Sequence, residues 1–168
     1  MNKTAFLCAT LLFGILFFSS CTDGKSVVSV YDGELEWSTL PYARISTGKN
    51  DAGEIAIWAP HFMTEIGNSL RGVSFMVMTC EPGIYSGVFN ASSETWSTPA
   101  IQFITMNLDY DGTPYPTWRG QSATLTIHSY NKRTKRINAT LDAVMRMDGS
   151  SNTRNIRVDM QNMNVEGK

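Results

Sequence analysis

The sequence predicts an all-β fold: an antiparallel β-sandwich of immunoglobulin-like kind or a small lipocalin-like barrel, with at most one short helix. Three observations lead there. Apolar residues recur with period two along most of the chain, the spacing of a half-buried strand rather than of a helix. The alternating runs are short, about ten in number, and turn residues separate them, as in sandwiches and barrels. No internal repeat of solenoid period is visible.

The first segment is an address. Lys3 gives a basic start, and Ala5–Phe18 (AFLCATLLFGILFF) is a run without charge. At 14 residues it is shorter than the ~20 that span a bilayer. Ser19 and Ser20 follow, then Cys21. A basic start, a short apolar run and small residues describe a secretory signal peptide. The expected organisation is a signal peptide over 1–20, a tether over 21–30 and a single β domain over 31–168.

Within that domain the elements follow in order. Glu34–Thr39 and Tyr42–Ser46 read as short strands around Pro41, and Glu54–Trp58 alternates well. Pro60–Leu70 (PHFMTEIGNSL) is the one helix candidate, ended by Gly67. Gly72–Thr79 puts Val73, Phe75 and Val77 on one face. Glu81-Pro82-Gly83 is a turn, and Tyr85–Asn90 a short strand. Ile101–Tyr110 is another strand. Asp111–Gly120 (DGTPYPTWRG) is a loop, with two Pro and two Gly.

The C-terminal third reads as a three-stranded antiparallel meander. Gln121–Tyr130 points Ala123, Leu125 and Ile127 one way. Ile137–Met147 lines up Ile137, Ala139, Leu141, Ala143 and Met145. Asn155–Val165 alternates through Ile156, Val158 and Met160, then slips phase at Asn162-Met163, which predicts a bulge. The connections are Asn131–Arg136 (NKRTKR) and Asp148–Asn152, the latter with an Asp-Gly turn signal.

Charge narrows the function classes. The 14 Lys+Arg nearly balance 15 Asp+Glu, for a net charge of −1. Nucleic-acid binding normally needs a clearly basic face, so no nucleic-acid partner is expected. Of three Cys, Cys8 lies in the leader and Cys80 follows an apolar run. A lone Cys in such a place reads as a small buried hydrophobe.

No motif announces catalysis. His61 and His128 are the only histidines, too few and too far apart for a zinc set. His61 is expected to help cap the short helix and His128 to sit on a polar strand face. There is no G-x-S-x-G elbow. Asp109 and Asp111 stand before Gly112 without the rest of a calcium loop. Hence no catalytic residue, metal or cofactor is assigned. Lys132, Arg133, Lys135 and Arg136 crowd one turn, which suits either anionic head groups or protection of strand edges. Tyr110, Tyr115 and Trp118 surround the Pro-rich loop and are the candidate binding residues, because stacked rings suit the C–H faces of sugars. Trp37, Trp58 and Trp96 lie elsewhere in the chain.

Phe18-Ser19-Ser20-Cys21 resembles a bacterial lipoprotein lipobox. Position −3, usually Leu, is Phe18, as in leaders of the Bacteroidetes type. The resemblance implies that the chain is cut before Cys21 and that the Cys21 sulfur carries a diacylglycerol. With two or three acyl chains the attachment would be stable, where a single chain is only reversible. Thr22 after the Cys suits outer-membrane delivery. Glu81–Ser86 (EPGIYS) and the strand, basic turn and strand of Gln121–Arg146 also resemble the small lipoproteins common in Bacteroidetes. That resemblance implies an all-β domain and no activity. The sequence therefore points to a membrane-anchored, non-enzymatic binding or structural module whose partner is a glycan or an envelope protein. A lipocalin-like carrier with a Met-lined cavity and an envelope-polymer hydrolase are the alternatives.

Overall fold

The computed structural model describes residues 26–32, 35–38, 42–66, 69–108 and 117–166. All regular elements there are strands: β1 (Val27–Asp32), β2 (Leu35–Ser38), β3 (Tyr42–Lys49), β4 (Ile55–Ile66), β5 (Ser69–Val77), β6 (Gly83–Asn90), β7 (Thr95–Trp96), β8 (Ile101–Leu108), β9 (Trp118–Asn131), β10 (Arg136–Met147) and β11 (Thr153–Asn164). They form one antiparallel sheet in the order β2-β1-β11-β10-β9-β8-β5-β4-β3, with β6 added on β9 and β7 on β6.

That order explains the curl. Apart from the β6–β7 hairpin and the pairing of the first strand, β1, with the last, β11, neighbours in the sheet are neighbours in sequence, as in an up-and-down barrel rather than a Greek-key sandwich. The two ends of the path are β2 and β3, yet Ser38 and Tyr42 are only four residues apart. Four residues reach at most about 14 Å, so the sheet curls until its edges approach. Lys49, ending β3, meets Glu166 beyond β11 at 3.1 Å.

β9 is where the wall divides. Its first residues pair with β8 (Met106↔Trp118), and its remainder pairs with β6 (Val88↔Ser122 to Gly83↔Ile127). Between the two, the register against β10 shifts from Val144↔Ser122 to Met145↔Gly120. This bulge re-phases β9, so Trp118 and Gly120 face inward like Ala123, Leu125 and Ile127. A bulge also bends the strand, which lets β6 and β8 diverge. Gly120 is required there. A Cβ would stand 2.9 Å from Trp96 Cζ2 and 3.0 Å from Ile104 Cβ.

One core fills the interior. Trp58, Phe62, Phe75, Leu125, Leu141, Met145 and Val158 are fully buried. Trp58 packs edge-on against Phe75, with ring centroids 5.9 Å apart. The inward face of β10 is the set its alternation predicts: Ile137, Ala139, Leu141, Ala143 and Met145 are all buried. The expected bulge is present at Asn162. The β10–β11 register shifts between Ile137↔Met163 and Ala139↔Met160, and Asn162 takes φ 53°. The turn signal at Asp148-Gly149 is likewise met by Gly149 at φ 74°.

Two expectations are corrected. The described residues of Pro60–Leu70 are strand, not helix: 55–66 are β4 and 69–77 are β5. Phe62 is drawn inward against Phe75, and tertiary burial overrides the local spacing. The β4–β5 ladder pairs Trp58↔Val77 and resumes at His61↔Ser74, a gap that spans Pro60, which has no N–H to donate. The tether expected over 21–30 is also too long. Val27–Asp32 is a strand, with Val28 and Val30 buried, so its residues 27–30 belong to the domain.

Candidate binding surface

The curled sheet has two ends. The turn end carries Ser26, the β9–β10 turn and the β3–β4 turn; Ser26 Oγ donates to the Asn162 carbonyl at 3.0 Å. The opposite end carries the Asp148 turn and the start of β9, where the Asp148 N–H donates to the Thr117 carbonyl at 2.9 Å.

At the turn end, members of the sequence's basic cluster are engaged by other parts of the fold. Lys132 bonds Glu54 at 3.0 Å. That contact holds the Glu54 carboxyl below its ordinary value and the Lys132 ammonium above its own. Arg136 donates to the Asn162 carbonyl at 2.7 Å, and Lys49 is taken by Glu166. Lys132 and Arg136 are thus engaged within the protein.

At the opposite end, Asp32 is a buried carboxylate bonded by Arg154 at 2.6 Å. The Arg154 guanidinium also lies over the Trp118 ring, 5.0 Å from its centroid, a cation–π arrangement. Trp118 is 7 % exposed and belongs to the core. Its ring is thus engaged by the protein and not displayed as a stacking platform. Tyr110 and Tyr115 lie outside the described residues, as do Cys21, Asp109 and Asp111. Of the three candidate aromatics, only Trp118 is therefore described.

The histidines and the thiol are accounted for without chemistry. His61 and Ser74 are cross-strand partners on β4 and β5 and share a hydrogen bond through His61 Nδ1. Burial, then the Arg44 charge, keeps the imidazole below its usual pKa. A Ser–His contact alone is not a hydrolytic site. His61's register partner on β3 is Arg44, where a triad would place a carboxylate. His128 Nε2 lies 3.1 Å from Thr140 Oγ1, which itself donates to Asp159 Oδ1 at 3.0 Å. The threonine proton goes to the carboxylate, so the imidazole donates, the reverse of a general base. Cys80 is buried, and burial pushes its thiol up to about 11. A thiol so shifted is a poor nucleophile. Among the described residues no three His, Cys, Asp or Glu side chains are placed to share a metal ion.

What sequence reading missed is a groove on the outer wall of β6, β9, β10, β11 and β1. It has a volume of about 960 Å³. The register aligns Ser86↔Thr124↔Asp142↔Arg157↔Tyr31 as one row across five strands. Beside it runs Val88↔Ser122↔Val144↔Asn155. Ser86 and Thr124 share a hydrogen bond of 3.0 Å. Arg157 lies between Asp159, at 3.1 Å, and Asp142, at 3.6 Å. Period two showed that these residues face outward; only the register shows that they meet.

No protein-family model, curated protein or solved structure matches the chain.

Proposed function

We propose that the chain is a cell-envelope lipoprotein, anchored in the outer membrane by acyl chains on Cys21, whose β domain is a non-enzymatic binding module for a glycan or an envelope protein. The supporting observation is the position of Ser26. It stands at the turn end, at the start of β1, and lies five residues after Cys21. Five residues reach at most about 18 Å. An anchored Cys21 would hold the turn end near the lipid surface and leave the outer groove open on the flank. The ion pairs of Lys132 with Glu54 and of Lys49 with Glu166 at that end take up cations that head groups would need, which fits attachment by acyl chains. The interior favours the binding module over the carrier, because the described inward positions are filled by packed side chains.

Metabolic labelling with an alkyne palmitate tests the anchor. The wild-type chain is expected to take up label and Cys21→Ala to take up none. An unlabelled wild-type chain would contradict the reading.

A further inference from the structure

We propose that the outer groove across β6, β9, β10, β11 and β1 binds a neutral, polyhydroxylated glycan chain. The inference deepens the binding-module reading and is independent of the anchor.

The floor of the groove decides what can be recognised. β9, β10 and β11 are interior strands of the sheet, so their backbone groups are spent in the ladder and recognition falls to side chains. The row from Ser86 to Tyr31 crosses four strand spacings, about 19 Å at ~4.8 Å each. That is an elongated site, suited to a chain rather than to a compact ligand. Its volume of about 960 Å³ lies in the ~300–1,000 Å³ range of ligand sites.

The chemistry then narrows the ligand. Asp142 is 53 % exposed, and its contact with Arg157 is 3.6 Å, longer than a hydrogen bond. Its oxygens keep capacity to accept from neighbouring hydroxyls of a sugar ring. Arg157 and the hydroxyls of Ser86, Ser122 and Thr124 add donors. Val88, 60 % exposed, and Val144 stand between these polar groups and offer surface to sugar C–H faces. Tyr31 closes the far end with a ring that is apolar in body and polar at its tip. Two carboxylates, Asp142 and Asp159, flank the single guanidinium of Arg157. That balance opposes phosphate or uronate ligands, and the hydroxyl-rich floor does not suit an acyl chain.

Affinity electrophoresis of the full chain in detergent tests this, with mannan, dextran or galactan in the gel and polygalacturonate as the anionic comparison. At least one neutral polysaccharide is expected to retard the wild-type chain, and polygalacturonate is not. Asp142→Asn should raise Kd about tenfold or more, as loss of a charged acceptor implies. Val88→Arg should abolish retardation by filling the groove, and Arg133→Ala, on the β9–β10 turn, should change nothing. Thermal melts show whether each variant is folded. Failure of all three neutral polysaccharides to retard the wild type would overturn the proposal. So would wild-type retardation of the two folded groove variants, or retardation by polygalacturonate alone. Acylation is read separately by palmitate labelling, so a failed anchor and a failed groove are distinguishable.

Discussion

Arg154 reaches the carboxylate of Asp32 at 2.6 Å across 122 positions of sequence, and so ties β11 to β1 at the end away from Ser26. The Asp32 side chain is 2 % exposed and that of Arg154 38 %. Truncating Arg154 to Met would leave a buried carboxylate without its cation. Breaking a buried pair costs about 3–5 kcal/mol, and the solvation of Arg154 puts this one at the low end. Asp32→Asn combined with Arg154→Met should recover much of the loss. Urea unfolding of both variants measures it. A single-variant loss under about 1 kcal/mol, the level of a surface pair, would show that the contact is not structural.

Gly120 marks the fork of the sheet. With Trp96 and Ile104 within 3.0 Å of a hypothetical Cβ, Gly120→Ala must push apart two packed side chains. Overpacking of this kind costs about 1–3 kcal/mol, or a fall in Tm of about 2–4 °C per kcal/mol at this size. Calorimetry measures it. An unchanged Tm would mean that β6 and β8 can part without strain.

The Cys80 thiol should be inert in the native protein. It is 5 % exposed, and its pKa is raised to about 11. Near neutral pH only about one part in a thousand or fewer is thiolate. Ellman's reagent should react slowly with folded protein and at once in denaturant. Rapid native labelling would remove the packing role assigned to Cys80.

His61 predicts a pH dependence of definite sign. Its folded pKa lies below the usual 6.5 because of burial and Arg44. Between the folded and unfolded values the unfolded chain binds more protons, so stability falls with acidification there. The contribution is complete above about 6.5 and is lost as pH falls through the folded value. His61→Gln should flatten that slope in Tm against pH. An equal slope in the variant would assign the effect to other groups.

Much of the wall was legible because each strand has one face in the core. Ile137 to Met145 and Ala123 to Ile127 declare their faces by alternation alone. The slip at Asn162-Met163 even declares a bulge. The stretch through Pro60 is ambiguous in sequence because Phe62, Met63 and Ile66 also fit a helical spacing, and only the packing of Phe62 on Phe75 decides between the two. The surface was less legible still. Asp142 and Arg157 are fifteen positions apart in sequence, and nothing local says that they are register partners. Nor does the run Lys132–Arg136 disclose that Glu54, on a distant turn, will pair with Lys132.

The anchor is the claim on which the account most depends. Intact-mass spectrometry of the chain extracted from membranes tests it most directly. The account predicts a mature protein beginning at Cys21 and heavier than Cys21–Lys168 by a diacylglyceryl group, with or without an amide-linked third chain. A chain that begins at Cys21 without added mass, or one that still carries Met1, would contradict it.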